Sequence, residues 1–426
     1  MKKILITTLG CKVNQADSEE LARRYADEGC ELVREGEPAD VCVVNTCTVT
    51  AKADRQCRNM IRKLRGKYPK AQIVVTGCYA NVAKEELEKM NEIDQIIYSS
   101  SEPLKGRVEK PQLEFSTLPI DYGRRSNTKK TRPMLKVQDG CDRFCTYCIV
   151  PHARGRSRSV PVKEVVKRIK ELVAAGNKEI VLTGIHLGAY GKDLRPQTGL
   201  AELLLKICDR SARLRLSSID PDELSEDLIS NLKFEISNRR VCPHFHIPLQ
   251  SGSDEILKKM GRRYTTAQYR AQISNLRSEI SNCAIGADVI VGFPGETKEL
   301  FEETKKFIDS LPVDYLHVFP YSRRELTAAS KLKETVPNTE KHRRVKVLMD
   351  ISKKRRLSFY KSFIGKDLHI VIEYKRDKMT GLLKGVSENY IPVLVAGGDE
   401  LMGELVKVKV TEVNNRSEVK GTKVIN

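Results

Sequence analysis

Short apolar runs rich in β-branched residues alternate with amphipathic stretches at the start of the chain: "KKILITTL", "DSEELARRYADEG", "ADVCVVN", "AKADRQCRNMIRKLRGKY" and "AQIVVTG". The short runs read as strands, and the longer stretches gather their apolar residues on one helix face. Strand and helix in alternation predict a parallel sheet with helices packed on it, an α/β domain over residues 1–112. Cys11, Cys47 and Cys78 each fall just past the end of one of these strands. The carboxyl ends of neighbouring parallel strands line one crevice, so the three cysteines are predicted to converge there.

From Pro111 to Thr131 the periodicity is lost and the sequence turns polar and basic, as a linker does. Six strand candidates follow, "PMLKVQ", "EIVLTGI", "RLRLSSI", "HFHIPLQ", "GADVIVGF" and "DYLHVFPY", separated by helical stretches such as "VKEVVKRIKELVAAG" and "KELFEETKKFIDSL". Six β/α units over residues 127–357 predict a partial (β/α)6 barrel, with functional residues at the carboxyl ends of its strands. Beyond a basic helix, "KDLHIVIEYKRD", "MTGLLKGVSENYIPVLV" and "ELVKVKVTEV" alternate with turn signals, which predicts a small all-β barrel over 358–426.

A chain of 426 residues is long enough for these separate cores. No stretch approaches the roughly 20 apolar residues of a membrane span, and the N-terminal run ends at Gly10 without a cleavage site. A cytoplasmic protein with no membrane partner is therefore expected. Twelve cysteines in that reducing setting point to metal ligands, reactive thiols or core packing before disulfides. The net charge of +19 is concentrated: residues 103–170 carry 17 Lys and Arg against 6 Asp and Glu, and residues 321–356 carry 12 against 4. The second stretch also reads as a solvated helix face. The first surrounds a cysteine cluster, and positive charge focused there suggests a polyanion such as RNA. From residue 358 onward 11 basic residues face 9 acidic ones, so charge does not mark the small barrel as an RNA module.

That cluster is "GCDRFCTYCIVPHARGRSRS", with Cys141, Cys145 and Cys148 spaced by four and three. The spacing would also suit one face of a helix, but Gly140, Pro151 and the intervening polar residues argue against a core helix. Zinc, as in a zinc-dependent RNA-binding protein, is a second reading, although closed zinc sites take four protein ligands. A [4Fe–4S] cluster on three thiolates leaves one iron open. Cys30, Cys42, Cys57, Cys208, Cys242 and Cys283 read as packing residues, and His244 with His246 as a structural pair on one face of a strand.

The loop resembles the cluster motif of the radical S-adenosylmethionine (SAM) superfamily. Together with "TLGCKVNQADSE", "VVNTCTVTAKAD", "VTGCYA", "LTGIHLGAYG", "HIPLQSGSDEILKKMGRRY" and "DVIVGFPGET", it resembles the methylthiotransferases along essentially the whole chain. The resemblance implies an N-terminal cluster domain, a radical SAM core and a C-terminal TRAM barrel. It further implies two [4Fe–4S] clusters, an auxiliary one on Cys11, Cys47 and Cys78 and the SAM-cleaving one on Cys141, Cys145 and Cys148. "TLGCKVNQ" and "CIVPHARGRSRS" are most similar to the group that methylthiolates C2 of N6-threonylcarbamoyladenosine at tRNA position 37. The sibling reactions, on isopentenyladenosine in tRNA or on a ribosomal-protein aspartate, use the same chemistry. In the implied reaction one SAM methylates sulfur and a second yields the radical that takes hydrogen from C2.

Gly184, Gln250 and Glu296 lie at or just beyond strand ends, where the SAM pocket is expected. Arg154, Arg156 and Arg158 beside the cluster are expected to contact tRNA phosphates. A separate electron donor and a monomeric state are also expected. Leu326 in "YSRRELTAAS" replaces a glycine usual in the family, so the loop after the sixth strand is expected to differ in shape.

Overall fold

The structure, a computed structural model, describes residues 1–98, 130–207 and 211–424. Cys208 and the expected linker, apart from Lys130 and Thr131, lie outside the described residues. Near the N-terminus five parallel strands form one sheet in the order Glu31–Leu32, Lys3–Thr8, Val41–Thr46, Gln72–Gly77, Gln95–Ile96. Val41–Thr46 is buried along its whole length, as a central strand covered on both faces must be, which is why "VCVVN" is apolar without alternation. The helix Lys12–Asp27 starts five residues earlier than the pattern suggested, directly after Cys11. Thr50 caps Ala51–Lys67 by accepting from the Ala53 amide.

The six expected central strands form as two parallel triplets. One contains Met134–Lys136, Glu179–Thr183 and Arg213–Leu216; the other contains His244–His246, Ala284–Val291 and Tyr315–Pro320. A parallel bridge between Leu214 and Val241 joins the triplets, and one hydrophobic core runs beneath both. No pairing among the described residues closes the first strand on the sixth, so the barrel is open on one side. Helix Lys12–Asp27 packs beside strand Met134–Lys136 there, where Asp17 pairs with Lys136.

The helix Asn338–Lys361 runs past the expected boundary at 357 and delivers Tyr360 to the core of the C-terminal barrel, where Phe363, in the turn just beyond the helix, joins it. That barrel is closed: Asp367–Arg376, Leu383–Ser387, Pro392–Val395, Val419–Lys423 and Leu405–Val413 pair in sequence around it. Its docking depends on a buried charge cluster. Glu179, fully buried, accepts from Arg213 Nε and Arg215 Nε, both at 2.7 Å. The two guanidinium groups reach on to the barrel's own carbonyls, Arg213 to His369 and Val386 and Arg215 to Ser387 and Glu388. Such charges are tolerated inside a protein only when paired and hydrogen-bonded in this way. Tyr390 completes the contact, stacked on His244 at 4.5 Å between ring centroids.

Candidate functional site

Strand register brings the first cysteine set together. Thr8 pairs with Asn45, Asn45 with Thr76 and Thr46 with Gly77, so three adjacent strands end side by side. Neighbouring strands lie about 4.8 Å apart, which puts the residues after their ends within one cluster's reach. Cys11 caps its helix in extended conformation, Cys47 follows Thr46, and Cys78 opens the helix Cys78–Val82. Gly10, at φ +120°, is pressed so close to Cys47 that a Cβ would stand 2.7 Å from its Cβ and 3.0 Å from its Sγ. Buried Asn14 organises the group: its Oδ1 is 3.6 Å from Cys11 Sγ and 3.7 Å from Cys78 Sγ, while Nδ2 donates to Leu9 and Thr46 carbonyls.

The second set lies on the loop after the first barrel strand. Gly140 turns the chain at φ +71°, where a Cβ would collide with the Arg156 carbonyl, so this position takes glycine. The loop is tied at both ends: the Cys141 amide donates to Gly155 O at 3.1 Å and the Thr146 amide to Met260 O at 3.0 Å. Each sulfur environment carries donors. Arg262 Nη1 is 3.3 Å from Cys145 Sγ, the Arg143 amide 3.5 Å from Cys141 Sγ, and His186 Nδ1 3.9 Å from Cys141 Sγ. Arg262 is itself fixed by Asp220 at 2.7 Å and by the face of Tyr264.

Arg154 links the two sets. It ends the helix Val150–Arg154 that follows Cys148, and its Nε lies 3.1 Å from Cys78 Sγ. Nη2 donates to Asn14 Oδ1 at 2.7 Å and Asp17 at 2.8 Å, and Nη1 to Asp139 at 3.0 Å, two residues before Cys141. With 7% of its side chain exposed and its donors spent, Arg154 is an interdomain tie and does not present itself to a phosphate, contrary to expectation. Arg156 and Arg158 are exposed, Arg156 lying over the ring of Phe144 and beside Asp142.

The expected SAM-pocket residues occupy strand ends. Gly184 follows Thr183, with space for a Cβ taken by the Gln138 side chain; Gln250, at φ +68°, is buried beside Val289. Glu296 is fully buried and braces the turn after the fifth strand, accepting from the Gly292 amide at 2.6 Å and Arg344 Nη1 at 2.5 Å. Burial nevertheless pushes its carboxyl pKa up. Its Oε1 has no partner among the described residues, and neither do Thr183 Oγ1, Ser253 Oγ and Tyr321 OH. All four atoms are buried at or just beyond the ends of different strands, and Asn14, Arg262 and Ser253 carry no sequence signal that separates them from ordinary polar residues. A polar ligand such as SAM would satisfy such atoms. Leu326 is exposed, and its loop is held by neighbours instead: Arg324 reaches Thr48 at 2.6 Å and Asp54 at 2.7 Å, just past Cys47.

The donor chemistry fits clusters. Three thiols converge in each set, with N–H groups aimed at sulfur, as thiolate acceptors on a cluster require. Burial pushes the thiols of Cys78 and Cys148 up to about 12, so each site favours protonated sulfur until a metal displaces the protons.

Residues 3–98 match the model of an uncharacterized protein family, UPF0004, and residues 135–308 match the radical SAM superfamily. The threonylcarbamoyladenosine tRNA methylthiotransferase MtaB of Aquifex aeolicus (strain VF5) is 39% identical over 423 residues, covering 96% of this chain and 100% of the relative. The enzyme of the same name from Bacillus subtilis (strain 168) is 35% identical over 429 residues, covering 96% and 94%. A tRNA-2-methylthio-N(6)-dimethylallyladenosine synthase of Dictyoglomus thermophilum is 33% identical over 428 residues, covering 97% and 96%. Among solved structures, the radical SAM methyltransferase TsrM from Kitasatospora setae, with cobalamin and a [4Fe–4S] cluster bound, superposes with a TM-score of 0.54 at 15% identity. It covers 78% of this chain and 74% of its own, a likeness of fold.

Proposed function

The chain belongs to the radical SAM methylthiotransferases, and from that membership we propose that it methylthiolates C2 of N6-threonylcarbamoyladenosine at position 37 of tRNA. Cys141, Cys145 and Cys148 hold the SAM-cleaving [4Fe–4S] cluster in this reading, and Cys11, Cys47 and Cys78 the auxiliary one. When bound, the clusters and SAM supply the radical that removes hydrogen from C2 and the sulfur that replaces it. The observation that carries the reading is the meeting of the two cysteine sets at one interface, tied through Arg154 and Asp139.

The chain's own residues position and shield. Gly10 and Asn14 fix the first set, while Gly140 and Arg262 fix the second. Thr183, Ser253, Glu296 and Tyr321 offer SAM buried polar atoms, with Gly184 and Gln250 shaping the backbone beside them. Arg156, Arg158 and exposed Phe144 face the RNA, supplying phosphate contacts and a stacking surface. The domains are the cluster domain at 1–112, the radical SAM core at 127–357 and the TRAM barrel beyond, with helix Asn338–Lys361 shared across the last boundary. The enzyme works in the cytoplasm as a monomer and takes electrons from a separate donor.

Mass spectrometry of tRNA nucleosides from cells lacking the gene tests the substrate. Loss of 2-methylthio-N6-threonylcarbamoyladenosine alone, restored by the wild-type gene and not by Cys141→Ala, is expected. Loss of 2-methylthio-N6-isopentenyladenosine instead would replace this substrate with the sibling one.

A further inference from the structure

The apolar core fixes which way the fifth and sixth barrel strands turn their side chains. Ile285, Ala287, Val289 and Leu316 lie in the core shared with the helices. The alternate residues therefore line the inside of the barrel: Gly286, Asp288 and Ile290 on the fifth strand, Tyr315, His317 and Phe319 on the sixth. Contacts agree with this. A Cβ at Gly286 would stand 2.1 Å from Tyr315 Cζ, and the rings of His246 and His317 stack with centroids 5.0 Å apart. Register sets Asp288 opposite His317 and Ile290 opposite Phe319.

Along the sixth strand this face opens from floor to mouth. Tyr315, 9% exposed, is sealed below by a hydrogen bond with His244 at 2.7 Å, and His244 is stacked on Tyr390 of the C-terminal barrel. His317 is half exposed, its Nδ1 3.4 Å from Asp288 Oδ1, and buried His246 braces the same oxygen at 2.9 Å. Phe319 is 45% exposed although its ring is wholly apolar. The chain beyond it is tied to both cysteine sets. Three residues on, at most about 11 Å of extended chain, Ser322 Oγ accepts from the amide of Ala51, in the segment that follows Cys47, at 3.0 Å. Further along, the Ala329 amide donates at 2.7 Å to the carbonyl of Thr146, next to Cys145.

An open aromatic face beside a fixed polar group suits a flat ring with apolar faces and a polar edge. We propose that the target adenine, turned out of the RNA loop, stacks on Phe319 with its polar edge towards the His317 imidazole. The inference rests on the tRNA-modifying reading and says where its nucleoside sits, whichever group N6 carries. In that reading C2 has to lie between the set that supplies sulfur and the set that forms the radical, and the sixth strand leads into the loop tied to both. Asp288 and His246 act through His317, holding its ring in place.

The test measures the affinity of purified holoenzyme, without SAM, for anticodon stem-loop RNA carrying threonylcarbamoyladenosine at position 37 and for the same RNA abasic at that position. Wild type should prefer the base-bearing RNA by about 5- to 150-fold, the scale of one base stacked on an aromatic ring. In Phe319→Ala that preference should fall towards one, with iron content and affinity for the abasic RNA retained, and Phe319→Tyr should keep it. His317→Leu should lower the preference by about 2- to 10-fold, the scale of one hydrogen bond, and His317→Gln should recover part of it. A wild type without the preference, or a full preference in Phe319→Ala or His317→Leu, would overturn the proposal. Equilibrium dialysis of SAM adds a further check: weaker SAM binding by Phe319→Ala with the base preference intact would give the ring to SAM instead. A wild type that binds the isopentenyl stem-loop and not the threonylcarbamoyl one would defeat the substrate reading alone, and the abasic comparison on that RNA would still decide the seat.

Discussion

Arg154 Nε lies 3.1 Å from Cys78 Sγ although the two residues belong to different domains. The same guanidinium holds Asp17 of the first domain and Asp139 of the second, so one side chain reports on the seating of the whole interface. Replacing it with methionine leaves two carboxylates short of a partner. Breaking a buried pair costs about 3–5 kcal/mol, and Lys136, which still contacts both carboxylates, places the expected loss near the lower figure. Thermal unfolding of Arg154→Met without metal checks this; an unchanged midpoint would mean the interface does not depend on the tie.

RNA binding should separate Arg154 from its neighbours. Arg156→Ala with Arg158→Ala is expected to reduce the slope of log affinity against log salt by about 0.7–0.9 for every phosphate no longer neutralised. Arg154→Met should weaken binding, if at all, without flattening that slope, because its donors are already used. Filter binding over a salt series distinguishes the two outcomes.

Gly140→Ala tests the turn before the second cysteine set. The added methyl would meet the Arg156 carbonyl at a positive φ, and neither the carbonyl nor the strand behind it can move freely. Iron after anaerobic reconstitution should drop from about eight to about four per chain, the first set remaining filled.

Stability should depend on Glu179 in a defined pH window. Arg215 and Arg213 hold its carboxyl down to about 2, against a burial cost that pushes it up. A depressed folded-state pKa adds stability above the unfolded value near 4.3, and that stability is lost as pH falls towards the folded value. The contribution is of order 3 kcal/mol. The gap in melting temperature between wild type and Glu179→Gln should therefore shrink between pH 6 and pH 3. A constant gap would mean that Glu179 is not ionised in the folded protein.

Much of this architecture was legible in the sequence, for identifiable reasons. Strands such as Val41–Thr46 and Ala284–Val291 are long, apolar and bounded by turn residues, so period alone reveals them. The convergence of Cys11, Cys47 and Cys78 followed from their places after parallel strands. What stayed hidden depends on partners remote in the chain. "ARGRSRS" offers three like arginines, and only the packed interface makes the first an interior tie. "RLRL" reads as a half-exposed strand until the barrel carbonyls that receive Arg213 and Arg215 are in place. Val419–Lys423 is too polar and brief to announce itself, being paired by a barrel whose other strands select it.

Iron counted with each cysteine set removed in turn tests the central claim most directly. Anaerobically purified wild type should contain about eight irons per chain, and replacement of Cys11, Cys47 and Cys78 or of Cys141, Cys145 and Cys148 by alanine should leave about four. Stoichiometric zinc in the wild type, or iron that does not fall when either set is removed, would contradict the account.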